Sequence, residues 1–172
     1  MPVWAKRIPL VLLIAAITFG ILWWTSAGMG WFRQDRPIAR LLSQTAGVHS
    51  YQLNWQRGTL EIRVLLTAGV DLPDFYPRLK HQIAAILGDR PFQVVVEDRR
   101  DGSLREAYRE MRLYLEEAVV TGRYVWADEH VRRLASEKGL TWARFAVDDD
   151  HLYLELRDSG SYLYAVMPRH RP

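Results

Sequence analysis

From Ile8 to Phe32 the chain carries no charged residue, directly behind Lys6 and Arg7 and just ahead of Arg33. A helix of that length in water keeps a polar face, so this run constrains the fold more than any other stretch. Its apolar part, Ile8 to Trp24, would rise about 26 Å as a helix, close to the roughly 30 Å hydrocarbon core of a bilayer. Trp4 precedes it, and Trp23, Trp24 and Trp31 cluster at its far end, as indoles do at a membrane–water interface. Lys6 and Arg7 sit tight against the apolar stretch, whereas Arg33, Arg36 and Arg40 are spaced from it, which favours a cytoplasmic N-terminus. The expected organisation is a short basic start at 1–7, a transmembrane anchor over 8–27, a linker over 28–34 and an extracytoplasmic domain over 35–172. Small residues at Thr25 and Ala27 leave a signal peptide cleaved after Ala27 open as the alternative.

Charge and composition exclude several functions. The formal net charge of +3 falls by two once Lys6 and Arg7 are set aside, and the remaining Arg residues are scattered. A nucleic-acid partner would require a clustered basic footprint, so none is expected. The chain contains no cysteine, which removes disulfides, Cys-ligated zinc and thiol catalysis. Arg outnumbers Lys and Asn54 is the only asparagine, a usage that suggests a bacterial source.

Hydrophobic periodicity divides the domain into elements. Asp35 can cap a first helix, with Pro37 in its opening turn, Ile38, Leu41 and Leu42 on one face, and Gly47 after its end. Tyr51, Leu53 and Trp55 alternate as a strand, and an Arg57-Gly58 turn leads to Leu60, Ile62, Val64 and Leu66. Leu79, Ile83, Ile86 and Leu87 form a helical stripe closed by Gly88. Phe92 to Val96 reads as a strand buried on both sides and central in its sheet. Ser103 to Glu106 has the form of a capping box, followed by a helical repeat from Leu104 to Ala118. A short helix with Val131, Leu134 and Ala135 ends at Gly139. Strands at Trp142 to Val147, Leu152 to Arg157 and Tyr162 to Met167 follow, with turns at Asp148-Asp149-Asp150 and Asp158-Ser159-Gly160 that suggest a meander. The expected class is α+β: a transmembrane helix, then a two-layer domain with one antiparallel-rich sheet of about six strands and roughly three to four helices mainly on one face.

A weak internal echo runs through this pattern. Asp35, Arg40, Leu41, Ser43 and Gly47 find counterparts in Asp128, Arg133, Leu134, Ser136 and Gly139, and Leu60 to Arg63 parallels Leu154 to Arg157. Its register slips, so duplication of a helix–strand–strand unit and chance both stay open. Through Val96, the order helix–strand–strand–helix–strand resembles that of small wedge-like domains in bacterial envelope proteins, including those that pack side by side in rings. That resemblance implies an assembly or scaffold role.

No catalytic, cofactor or metal site emerges from the residues. Asp158-Ser159-Gly160 lacks the flanking glycine of a nucleophile elbow and falls where a hairpin turn is needed. Asp148, Asp149 and Asp150 with His151 have oxygen-rich character suited to calcium or magnesium, but no spaced acidic loop backs them. His49, His81, His130, His151 and His170 are dispersed. The candidate interaction surface is instead the meander face turned away from Leu152, Leu154 and Leu156. There Trp142, Arg144, Tyr153, Arg157, Tyr162 and Tyr164 would interleave aromatic rings with Arg, a composition enriched in binding hot spots. The sequence thus points to a non-enzymatic, single-pass membrane-anchored interaction or scaffold module of the bacterial envelope. Its expected partners are the bilayer and an envelope protein or a second copy, with no cofactor. An extracytoplasmic domain that binds a small molecule or wall fragment is the alternative.

Overall fold

A computed structural model describes residues 36–169. Contacts divide the chain into two units, Met1–Leu41 and Leu42–Pro172. A helix over 36–44 (α1) spans that boundary, with Ile38 and Leu42 buried. All the strands and the remaining helices belong to the second unit.

The first sheet begins with a hairpin of β1 (Val48–Gln56) and β2 (Thr59–Leu66). Arg57 and Gly58 join them, both at positive φ (49° and 85°). Two left-handed residues in succession give a turn whose twist matches that of the strands it connects. The helix α2 (Leu72–Leu87) then carries the chain back, and β3 (Phe92–Glu97) pairs with β2 in parallel. A parallel neighbour needs such a crossover, because the chain must return to the end where the first strand began. Strand order is β1-β2-β3. The register places Leu53, Ile62 and Val94 on one face and Asn54, Glu61 and Gln93 on the other. Leu60, Ile62, Val64 and Leu66 are fully buried, each stabilising the fold by about 1.5–3 kcal/mol. On the reverse face Arg63 bridges Glu61 at 2.5 Å and Glu97 at 3.4 Å, so that face is a solvated one.

The second half forms a separate layer. The helices α3 (Gly102–Thr121) and α4 (Tyr124–Glu137) precede an antiparallel meander of β4 (Trp142–Val147), β5 (His151–Asp158) and β6 (Ser161–Pro168). Leu104, Met111 and Leu115 of α3 meet Val131 and Leu134 of α4 over Leu154, Leu156 and Leu163 of the sheet. The Asp101 side chain accepts the Leu104 N–H at 2.9 Å and so caps α3. Gly122, at φ 72°, ends that helix.

Four expectations are corrected. Among the described residues no helix is long and apolar enough to cross a membrane, so the described fold does not contain the expected transmembrane helix. The described helices alternate apolar with charged residues, as Arg78 and Lys80 do on α2. The 8–27 segment, its flanking Trp4, Lys6, Arg7, Trp23, Trp24 and Trp31, the 28–34 linker, Asp35 and His170 lie outside the described residues. The single six-stranded sheet is replaced by two sheets of three strands. β3 is an edge strand rather than a central one, and Asp101, not Ser103, caps α3. The helix–hairpin order does recur, as α1-β1-β2 and as α4-β4-β5. The next strand, however, pairs in parallel in the first half and antiparallel in the second.

Candidate functional site

The six residues singled out on the meander do share one face. Register places Trp142 beside Arg157 and Arg157 beside Tyr162, with Arg144, Glu155 and Tyr164 in the next row. That face is covered, which corrects its reading as an exposed surface. Tyr153 and Tyr164 are each 1% exposed and Tyr162 5%. The cover is the chain from the end of β2 into α2. The Tyr162 hydroxyl donates to the Leu66 carbonyl at 2.6 Å, and that of Tyr164 to the Thr67 carbonyl at 3.0 Å. Tyr164 Oη also accepts the Val70 N–H at 3.1 Å, and Tyr76 packs edge-on against both Tyr153 and His151. Trp142 and the Arg144 side chain remain open, at 47% and 40%, with the Arg157 guanidinium 5.4 Å from the Trp142 ring centroid. Tyrosine suits this role because its ring is buried while its hydroxyl satisfies a backbone group of the neighbouring layer.

A carboxylate lies within this interface. Glu155 is 1% exposed and accepts the Leu72 N–H at 2.9 Å, with Arg144 at 3.8 Å and Arg157 at 3.6 Å. Burial raises its pKa more than the Leu72 N–H and Arg144 lower it. The hydrogen bond from Arg144, at 2.9 Å, holds the Asp71 carboxyl below its usual range. Burial also raises the tyrosine hydroxyls at 153, 162 and 164. These shifts follow from packing between layers, and Arg157 Nε is buried there without a hydrogen-bond partner among the described residues.

The open concavity lies beside it. β3 and β6 approach at one end, where the Tyr162 N–H donates to the Arg99 carbonyl at 3.2 Å and the Tyr164 N–H to Asp98 Oδ2 at 2.8 Å. No ladder continues beyond Tyr164, and a cavity of about 460 Å³ opens there. Its walls are Phe92 to Val96 on one side and Ala165, Val166 and Pro168 on the other. Both walls are strand edges without a neighbouring strand among the described residues. The Leu60 N–H donates to the Pro91 carbonyl at 3.0 Å, which sets the phase of the β2–β3 ladder. Because strand residues direct their backbone groups alternately to the two sides, Phe92, Val94 and Val96 present theirs to the open edge. The bonds from Tyr162 and Tyr164 likewise place the Val166 N–H and C=O on the open edge of β6.

The ionisable groups around the cavity are basic or phenolic. Lys80 of α2, His151 of β5 and Arg100 line it, together with Tyr76 and Tyr108, and no carboxylate does. Asp98 holds the Arg100 guanidinium at 2.7 and 2.6 Å, and that guanidinium lies 5.6 Å from the Tyr108 ring centroid. Lys80 Nζ stands 3.5 Å from His151 Nε2 and has no ion pair with a described carboxylate. Burial, then the Lys80 charge, lowers the His151 pKa despite Asp148 and Asp150. His151 Nδ1 is buried without a hydrogen-bond partner among the described residues.

The acidic turn has a structural occupation. Asp148 accepts the Asp150 and His151 N–H groups at 2.7 Å each and the Tyr153 hydroxyl at 2.5 Å. Burial pulls its carboxyl upward, but those hydrogen bonds prevail and hold it low. No group of three metal-ligating side chains occurs among the described residues. Sequence reasoning missed the cavity because unpaired edges depend on which strands meet. One signal was present: Pro168 closes β6 with a residue that cannot donate to a ladder, and this favours an edge strand. No family model, no curated protein and no solved structure matches the chain.

Proposed function

We propose that this protein is an interaction module that receives a partner protein in the cleft between β3 and β6. The observation that carries this reading is the pair of unpaired strand edges facing one cavity, with backbone donors and acceptors at Phe92, Val94, Val96 and Val166 turned towards it. Exposed edges of this kind are templates for pairing with another chain. On the sequence side, the charge-free run from Ile8 to Phe32 supports a place at the bacterial cell envelope, in contact with lipid. A photo-crosslinking residue at Gln93, on the cleft wall, tests the reading in the native host against the same residue at Val120, which is exposed on α3. A discrete protein adduct is expected from position 93 and not from 120. Absence of any adduct at 93, with normal protein levels, would overturn the reading.

A second reading has one observation in its favour. The cavity volume of about 460 Å³ falls within the range typical of small-molecule pockets, and its basic lining would suit an anion. Thermal stabilisation by a small anionic metabolite, with no adduct at position 93, would select it.

A further inference from the structure

We infer that the cleft takes an extended, acidic peptide segment of a partner protein, which adds as a strand to the open edge of β3 with its carboxylate at Lys80. The inference rests on the interaction reading above and specifies the chemistry of the partner.

Three observations converge on this occupant. The first is the shape of the hydrogen-bonding demand. Phe92, Val94 and Val96 repeat every second residue along one edge, a spacing that another extended backbone matches and a compact small molecule does not. A segment of about five to six residues would span it. The second is the apolar character of the walls, where Val94, Val95, Val96, Ala165 and Val166 offer side-chain contact on either side of an inserted strand. The third is charge. Asp98 already neutralises Arg100, whereas Lys80 is exposed and has no ion pair with a described carboxylate, its near neighbour being the His151 ring. A carboxylate on the incoming strand supplies the missing counter-charge, with salt-dependent steering of the encounter.

A second copy of this chain fits less well. Among the described residues its other two open edges are β1 and β4. Neither Val48–Gln56 nor Trp142–Val147 contains an aspartate or glutamate, and β4 carries Arg144. Pairing of β1 or β4 of a second copy with β3 would therefore leave Lys80 without a partner. Pro168, at the end of β6, further limits pairing there and leaves β3 as the edge that directs the incoming strand.

The test is selection of a random peptide library on the immobilised full chain, followed by binding measurements on the enriched sequence as a synthetic peptide. Enrichment of acidic sequences with apolar residues at every second position is expected. Binding should weaken by about tenfold or more in Lys80→Glu, with an unchanged circular dichroism spectrum as the check that the exposed-site variant is folded. A comparable loss is expected when alternate amides of the peptide are N-methylated, which tests strand addition without altering the protein. Enrichment of basic sequences, no enrichment, equal binding by Lys80→Glu, indifference to N-methylation, or enriched sequences drawn from this chain itself would each overturn the inference. Displacement of the peptide by inorganic phosphate at ordinary ionic strength would also overturn it, in favour of a small anion. An adduct at position 93 alongside a failed selection refutes only the acidic strand, whereas loss of the adduct refutes the interaction reading itself.

Discussion

Glu155 and His151 both lie on the covered face of β5, and burial disfavours the charged form of each. The Glu155 carboxylate has lost nearly all its water, and its raised pKa means that the remaining contacts do not fully compensate. Glutamine at this position keeps an acceptor for the Leu72 N–H and removes the buried charge. Urea unfolding at pH 7 should therefore find Glu155→Gln within about 1 kcal/mol of the parent, and Glu155→Ala destabilised by roughly 2–4 kcal/mol through the orphaned Leu72 N–H and Arg groups. Equal losses in the two variants would show that the ion pairs, not the acceptor, dominate. His151 gives a pH signature of known sign. Burial holds its folded pKa below the ordinary histidine value of 6.5, so the unfolded chain binds the proton first. The stability associated with neutral His151 is present above about pH 6.5 and is lost as the pH falls below it. Glu155 acts in the opposite direction, since its protonation favours the folded state, so the comparison must be with a single-site variant. Between pH 7.5 and 5.5 the parent should lose stability relative to His151→Gln; a constant difference would show that burial does not hold the ring neutral.

At the scale of elements, most strands and helices were legible and their neighbours were not. α3, α4 and the three-stranded meander follow from periodicity and turn residues, because those signals are local. β3 and β5 exchange their expected roles. The compact run Phe92 to Val96 reads as a central strand, yet it has a partner on one side only and Gln93 is exposed. The alternating Leu152 to Arg157 reads as half-buried, yet residues 151–156 are all buried, because layers cover both faces of the sheet. Side-chain type alone does not tell a tyrosine that faces water from one whose hydroxyl binds a neighbouring carbonyl. The candidate face was therefore correctly assembled and wrongly assigned to solvent. Tyr164→Phe tests its role as a joint between layers. It deprives the Thr67 carbonyl and the Val70 N–H of one partner each, and should lower unfolding stability by about 1–3 kcal/mol without changing the secondary structure seen by circular dichroism. An unchanged stability would mean that water replaces the hydroxyl and that the joint is apolar.

For the molecule as a whole, the unit from Leu42 to Pro172 buries its tyrosines between layers and leaves the edges of β3 and β6 facing a common cleft. This geometry reverses the order of interest that the sequence suggested: the aromatic face is internal, and the plain valines of β3 border the open site. Amide hydrogen exchange on the free, full chain measures this most directly. Along β3, the Gln93 and Val95 N–H groups face the β2 ladder while those of Val94 and Val96 face the cleft. Exchange should alternate, with Val94, Val96 and Val166 faster than Gln93 and Val95 by about tenfold or more. Uniform protection along β3 would mean that its outer edge is already paired, and would contradict an open cleft between the two sheets.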